Sequence, residues 1–290
     1  MISVICRLSN LNRKSAFGDD RGRGGFGLSP RIVIGLLIMA GTLLYYQFGT
    51  TSYHNEFTGR DQKLALPTPE DEIAMGLESA PQMIHQSGGL SRDSAGRAMV
   101  ERVGARLIAS TAARETAYQF KFHLLADTQT VNAFALPGGQ IFITEALFRR
   151  LKSEDQLAGV LGHEMGHVVG RHSNEQMANS QKWSGLAQGF SVMTSDGHNN
   201  SGAYLANWVA QWRLMSFSRS DESESDALGV RFMLQAGYNP EALIGVMEIL
   251  AQVSGGGGRS DFMSSHPNPD NRMEHIRQVI AQERAALGGR

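Results

Sequence analysis

The chain has a single cysteine in 290 residues, Cys6, so neither an intrachain disulfide framework nor a cysteine-rich zinc module can hold it together. It has no basic excess. Its 27 Lys and Arg stand against 28 Asp and Glu, and the positive footprint of a bulk nucleic-acid binder is missing. At 41% hydrophobic residues it lacks the apolar content of a polytopic membrane protein. It contains no internal repeat. What remains is enough chain for one large domain or two small ones around a sizeable core. Glycine is abundant, at 33 residues, and nine histidines suffice for a metal site.

One long apolar run is present. The first thirty residues read as a disordered tail, with SAFGDDRGRGGFGLS (15–29) Gly-rich, polar and without periodicity. Residues 32–48, IVIGLLIMAGTLLYYQF, then carry no charge. At ~1.5 Å per residue such a helix spans roughly 25 Å, with Arg31 able to snorkel and Tyr45, Tyr46 and Tyr53 suited to an interface. A cleaved signal peptide would want a shorter run and a small-x-small site, and QFGTTSYH offers no convincing one. A lipoprotein anchor would want a cysteine after the run, and Cys6 precedes it. A single transmembrane anchor over 31–49 is therefore expected. Arg7, Arg13, Lys14, Arg21, Arg23 and Arg31 precede it and only Arg60 and Lys63 follow closely. That bias places the N-terminus in the cytoplasm and the remainder outside, in the periplasm of a bacterium.

Residues 50–66 read as a linker, and 67–290 as the folded domain. Thr68 between two prolines, followed by Glu70, Asp71 and Glu72, marks a helix start, with Pro81 expected to kink or interrupt the helix. Residues 91–110 form an amphipathic helix with Val100, Val103 and Leu107 on one face. Phe120, Phe122 and Leu124 alternate at period two, and NAFALPGGQIFIT (132–144) reads as two extended pieces joined at Pro137-Gly138-Gly139. Helices are then expected at 154–171, 174–190, 203–216, 221–236, 240–252 and 270–286, with 255–258 (GGGG) an exposed loop. A small sheet among many helices is an α+β domain. Met177, Trp183, Leu186, Phe190, Trp208 and Trp212 read as core or interhelical contacts, and 189–204 as a lid or a plain connector.

The chemistry lies in LAGVLGHEMGHVVGRHS (157–173). His163, Glu164 and His167 form H-E-x-x-H in an apolar, helix-compatible run. Residues i and i+4 share a helix face, so both imidazoles can bind one Zn²⁺, and Glu164 beside them can take a proton from a water on that metal. A third protein ligand is needed. His172 falls one residue short of the H-E-x-x-H-x-x-G-x-x-H pattern, where position 173 is serine, which excludes that class. In SRSDESESDALG (218–229), Glu222 could be the third ligand and Asp226, one turn on, could accept an imidazole N–H. The same acids could simply complement a helix dipole. Glu224 points about 200° from Glu222, so the two cannot serve one metal.

These blocks, with NAFALPGGQIFIT before them and SHPNPDNR after, resemble in content and order the gluzincin family of HtpX, BepA and the CAAX prenyl proteases. The likeness runs from about residue 67 to 285. It implies a mostly helical zincin-type metalloprotease domain with a small sheet, binding one zinc ion per chain. It implies His163, His167 and Glu222 as ligands, Glu164 as general base and Asp226 as the carboxylate supporting the ligands. The chain resembles a minimal, membrane-tethered, BepA-like catalytic domain without tetratricopeptide repeats. In that light His266 and Arg272 are candidates for stabilising the oxyanion, and His266 alternatively for holding the fourth zinc position closed. An edge strand at 131–136 or 140–144 could take an extended substrate, with Asn132 hydrogen-bonding its backbone. The expected activity is zinc-dependent endoproteolysis of unfolded or misassembled envelope proteins. The alternative is a chaperone-like binding protein with a latent or structural zinc site.

Overall fold

The computed structural model describes residues 29–194, 216–255, 262–266 and 272–288. Outside them fall nearly all of the tail expected at 1–30, the helix expected at 203–216 with Trp208 and Trp212, most of 189–204, and residues 256–258 of the glycine run.

Helix α1 (Pro30–Leu44) starts on Ser29, whose hydroxyl accepts the Ile32 N–H, with Pro30 in the first turn. A π-turn, Tyr45–Gly49, extends it to twenty residues, long and apolar enough to cross a membrane. The segment expected as a linker then forms an antiparallel hairpin of β1 (Thr51–Asn55) and β2 (Arg60–Leu64). Its inward side chains at Asn55 and Gln62 are polar, so no hydrophobic alternation marked it. They face inward because they hydrogen-bond the end of another helix, as described below.

A Thr68–Asp71 capping box opens α2 (Pro69–Gln86). The helix continues through Pro81 rather than ending there. Helix α3 (Ser94–Ala109) buries Val100, Val103 and Leu107 against the sheet. That sheet holds β3 (Lys121–Leu125), β4 (Ala133–Ala135) and β5 (Gln140–Thr144) in the order β3-β5-β4. Strand β5 is parallel to β3 and antiparallel to β4, from which it is separated by the Pro137–Gly139 turn. It is buried at every position. Of the two segments offered as an edge, 131–136 holds the edge strand and 140–144 the middle one.

After the short α4 (Glu145–Phe148), Ser153 caps α5 (Glu154–Val169), where every side chain from Gln156 onward is buried. Against it pack β4, α3, α7 (Arg219–Gln235) and α8 (Ala242–Gly255). The short α9 (Phe262–Ser265) and α10 (Arg272–Gly288) complete the described chain. The mixture is α+β, mostly helical. Between α5 and α6 (His172–Thr194), Arg171 adopts φ 54° and turns the chain. A non-glycine residue in that region costs about 1–2 kcal/mol. It is held by a buried ion pair to Glu72 (3.2 Å) and by stacking on Tyr53.

Helix α6 then runs back along α1. Tyr46 donates to Asn179 Oδ1 at 3.0 Å, Gly185 meets Thr42 and Gly189 meets Met39. Met177 is buried as expected, but Trp183 and Phe190 are 65% and 60% exposed. Of the two alternatives expected, core or interhelical contacts, the second describes this half of α6, which leaves the body of the domain and lies on α1.

Candidate metal centre

Helices α5 and α7 cross with almost no side chain between them. A Cβ on Gly166 would stand 2.9 Å from Ser225 O, and one on Gly162 3.4 Å from Gly229 O. This close approach carries the first turn of α7 onto the H-E-x-x-H face. Ser218 and Asp221 form the capping box of α7, so Asp221 takes the helix-start role that the acidic run could have served. Glu222, one residue on, points inward and is fully buried.

Four donor atoms converge. His163 Nε2 and His167 Nε2 are 3.1 Å apart. Glu222 Oε1 is 3.4 Å from His167 Nε2, and Oε2 is 3.5 Å from His163 Nε2. His266 Nδ1 is 2.9 Å from Glu222 Oε1 and 3.4 Å from His163 Nε2. Bonds of about 2.0–2.1 Å to a tetrahedral zinc put neighbouring donors roughly 3.3 Å apart, so these separations fit one zinc ion. Two imidazoles, one carboxylate and a further imidazole form a borderline-soft, zinc-suited set.

The outer nitrogens of His163 and His167 have partners of their own. His163 Nδ1 lies 3.0 Å from Asp226 Oδ1. Arg272 grips Asp226 with Nε (2.6 Å) and Nη2 (2.8 Å), and its Nη1 lies 2.9 Å from Glu222 Oε2, at an angle unsuited to a hydrogen bond. Arg272 thus lies between the carboxylates of Asp226 and Glu222. His167 Nδ1 meets His172 Nδ1 at 2.9 Å, and His172 Nε2 meets Glu224 Oε2 at 3.1 Å. Arg60 of the hairpin closes this chain on Glu224 and Glu175. The hairpin also caps α5: Asn55 donates to Val169 O at 2.9 Å and Gln62 to Gly170 O at 2.8 Å.

Glu164 follows His163 in the chain, and its Oε1 is 3.6 Å from His266 Nε2. Both its oxygens are buried without a hydrogen-bond partner among the described residues. Burial pushes this carboxyl above its ordinary range, against the pull of His266 and His163. Burial would raise Glu222 and Asp226 as well. Instead the His266 and His167 imidazoles hold Glu222 well below the usual carboxylate range, and Arg272 holds Asp226 low. Burial depresses His167, whereas at His266 it is outweighed by Glu222 and Glu164, which raise it.

Phe217 stacks on His167 (centroids 4.1 Å apart) and Phe262 on His266 (4.4 Å), so all four donors are buried. Asn132, at the start of β4, has its backbone tied to Thr144 and its side-chain oxygen buried without a described partner. The reading of residues missed His172 and Glu224 as supports, together with Arg60, Asn55, Gln62 and the Glu72–Arg171 pair. The i+5 spacing of His172 from His167 was the one available signal.

Comparison with known proteins shows the family. Residues 94–280 match the model of peptidase family M48. The chain is 30% identical to the beta-barrel assembly-enhancing protease of Yersinia pestis over 221 residues, covering 73% of this chain and 44% of that protein. It is 33% identical over 184 residues to the mitochondrial metalloendopeptidase OMA1 of Schizosaccharomyces pombe, covering 63% and 52%. It is 30% identical over 166 residues to the metalloprotease YcaL of Escherichia coli, covering 57% and 63%. The chain thus spans about half the length of the curated relatives it matches. It belongs to peptidase family M48, the zinc-dependent metallopeptidases of the HtpX and BepA type.

Proposed function

We propose that this M48 member is a zinc-dependent metalloendopeptidase, anchored in a membrane by α1. The observation that carries the reading is the convergence of His163, His167 and Glu222 at 3.1–3.5 Å beside the unpartnered, buried carboxylate of Glu164. His163, His167 and Glu222 would hold the zinc. When bound, it would supply Lewis acidity toward a peptide carbonyl and toward water. Glu164 would take the proton of the attacking water as the O–C bond forms. It would return that proton to the amine as the C–N bond breaks. Asp226, tied by Arg272, would keep His163 in the tautomer that leaves Nε2 free.

A latent resting state is the second reading, favoured by His266 Nδ1 at the fourth corner of the donor set and by the burial of the whole group. Opening would require His266 to withdraw with α9. Edge strand β4 beside α5 would then receive an extended substrate. Unfolded or misassembled proteins of the envelope fit as substrates, in line with the beta-barrel assembly named for one relative. The basic residues before α1 favour a cytoplasmic N-terminus and an external catalytic domain, periplasmic in a bacterium.

The test is digestion of unfolded casein, with and without chelator, by wild type and Glu164→Gln. Glu164→Gln should retain about one zinc per chain and lose roughly 10²–10⁴-fold in rate. Undiminished cleavage would remove Glu164 as the base. His266→Ala should raise the rate if the fourth position is held closed. A wild type that suppresses aggregation but cleaves nothing, even as His266→Ala, would favour a chaperone-like binding protein.

A further inference from the structure

The two halves of α6 have different surroundings. Its first half is packed into the domain, with His172, Asn174, Met177 and Ala178 buried. Residues 183–194, WSGLAQGFSVMT, contain no charged side chain, and Trp183 and Phe190 are exposed. This half lies antiparallel on α1. Going down the pair, Asn179 meets Tyr46, Gly185 meets Thr42, Gly189 meets Met39 and Gly35 meets Met193. The backbones touch: a Cβ on Gly189 would stand 2.8 Å from Gly35 O, and one on Gly35 would stand 2.5 Å from Gly189 O.

Positions 35–42 are the middle of the apolar stretch of α1. Whatever packs on them shares their depth when α1 crosses a bilayer. We propose that residues 183–194 of α6 are embedded in the bilayer beside the anchor, so that the domain holds the membrane through a pair of helices. The occupant of the exposed face of α6 is lipid. This rests on the reading of α1 as an anchor and is independent of proteolysis.

The chemistry of the segment suits that medium. Twelve helical residues rise about 18 Å, enough to pass mid-depth but not to cross. A helix satisfies its own backbone in lipid. Lys182 stacks over Tyr46 (4.4 Å) and can snorkel to the headgroups, and Trp183 suits the interface. Close contact through small residues is how helices associate where lipid removes the hydrophobic drive between them. Only eleven residues, at most about 16 Å of helix, separate Trp183 from His172 beside the metal centre. The centre therefore stands close above the membrane surface.

The test uses the full chain with Cys6→Ser, in phosphatidylcholine–phosphatidylglycerol vesicles opened so that a membrane-impermeant maleimide reaches both faces. Cysteines are placed singly at Phe190, at Leu37 in α1 and at the exposed Glu101 of α3. Phe190→Cys and Leu37→Cys should label about an order of magnitude more slowly than Glu101→Cys and be released by detergent. Fast labelling at Phe190 with Leu37 protected would overturn the embedding of α6 and leave the anchor standing. Fast labelling at both would overturn the anchor, and the helical pair with it. A disulfide between two Phe190→Cys chains would put a second copy on this face instead of lipid, and would also overturn the proposal. Ala187→Cys, one turn higher and exposed, repeats the measurement should Phe190→Cys fold poorly.

Discussion

Helices α5 and α6 follow each other with only Gly170 and Arg171 between them, yet they are built for different media. Helix α5 is buried from Gln156 onward, and its two histidines meet polar groups, His163 with Asp226 and His167 with Glu222 and His172, while Glu164 between them has no hydrogen bond among the described residues. Helix α6 shares that character only as far as Ala178. Beyond Lys182 it has no charge and exposes Trp183 and Phe190. Both helices use the same device, a glycine that lets two backbones meet. On α5, Gly166 against Ser225 sets the distance from two histidines to Glu222. On α6, Gly189 against Gly35 sets only how closely two apolar helices lie. The lesson is that a small-residue crossing sets a distance, and the neighbours decide what the distance is for.

The contrast can be broken most forcefully at Asp226. Asp226→Ala strips the partner from both His163 and the buried Arg272. Breaking a buried pair in this way should cost about 3–5 kcal/mol in denaturant unfolding of the metal-free chain. Zinc affinity should fall roughly 10–100-fold, read by competition with a chelator. Wild-type values for both would mean that α5 is not held by its polar contacts.

Paired glycine substitutions sharpen the comparison at a smaller scale. Gly166→Ala forces a Cβ to within 2.9–3.0 Å of Ser225 backbone atoms, so it should destabilise by about 1–3 kcal/mol and weaken zinc binding. Gly189→Ala should leave zinc affinity unchanged and loosen only the contact with α1. Equal loss of zinc in the two variants would show that α6 and α5 form one cooperative unit to the tip of α6.

The smallest effect lies in the sheet beneath α5, at His123, which stacks on Phe142 and meets Gln140 Oε1 at 3.0 Å. Burial holds this imidazole below its ordinary value. The unfolded chain therefore takes up a proton near pH 6.5 that the folded chain refuses, so this contribution is present above that pH and fades as the pH falls. A shallow rise in stability from pH 5 to 7 should flatten in His123→Phe. An unchanged slope would assign it to other groups.

Much of this molecule could be read before any coordinates. The i, i+4 spacing of His163 and His167 in an apolar run fixed a shared helix face. The uncharged stretch after Arg31 marked the long apolar helix, and the acidic run within 218–229 marked the opening of α7. Local rules suffice where the cause is local, such as a periodicity, a cap or a run without charge. Other features depended on partners distant in sequence. Asn55, Gln62 and Arg60 look like linker residues until Val169, Gly170 and Glu224 are placed beside them. The acidic turn of α7 offered two roles, and tertiary structure divided them, giving Asp221 to the cap and Glu222 to the centre. Trp183 and Phe190 have the spacing of a core face, since helical periodicity is the same whether the apolar side meets protein or lipid. The sequence determined the chemistry available and the helices that carry it. The tertiary structure alone decided which atoms converge, because a coincidence within about 3.5 Å of residues 44 to 103 positions apart is set by how closely helices pack, and a linear pattern does not encode that distance.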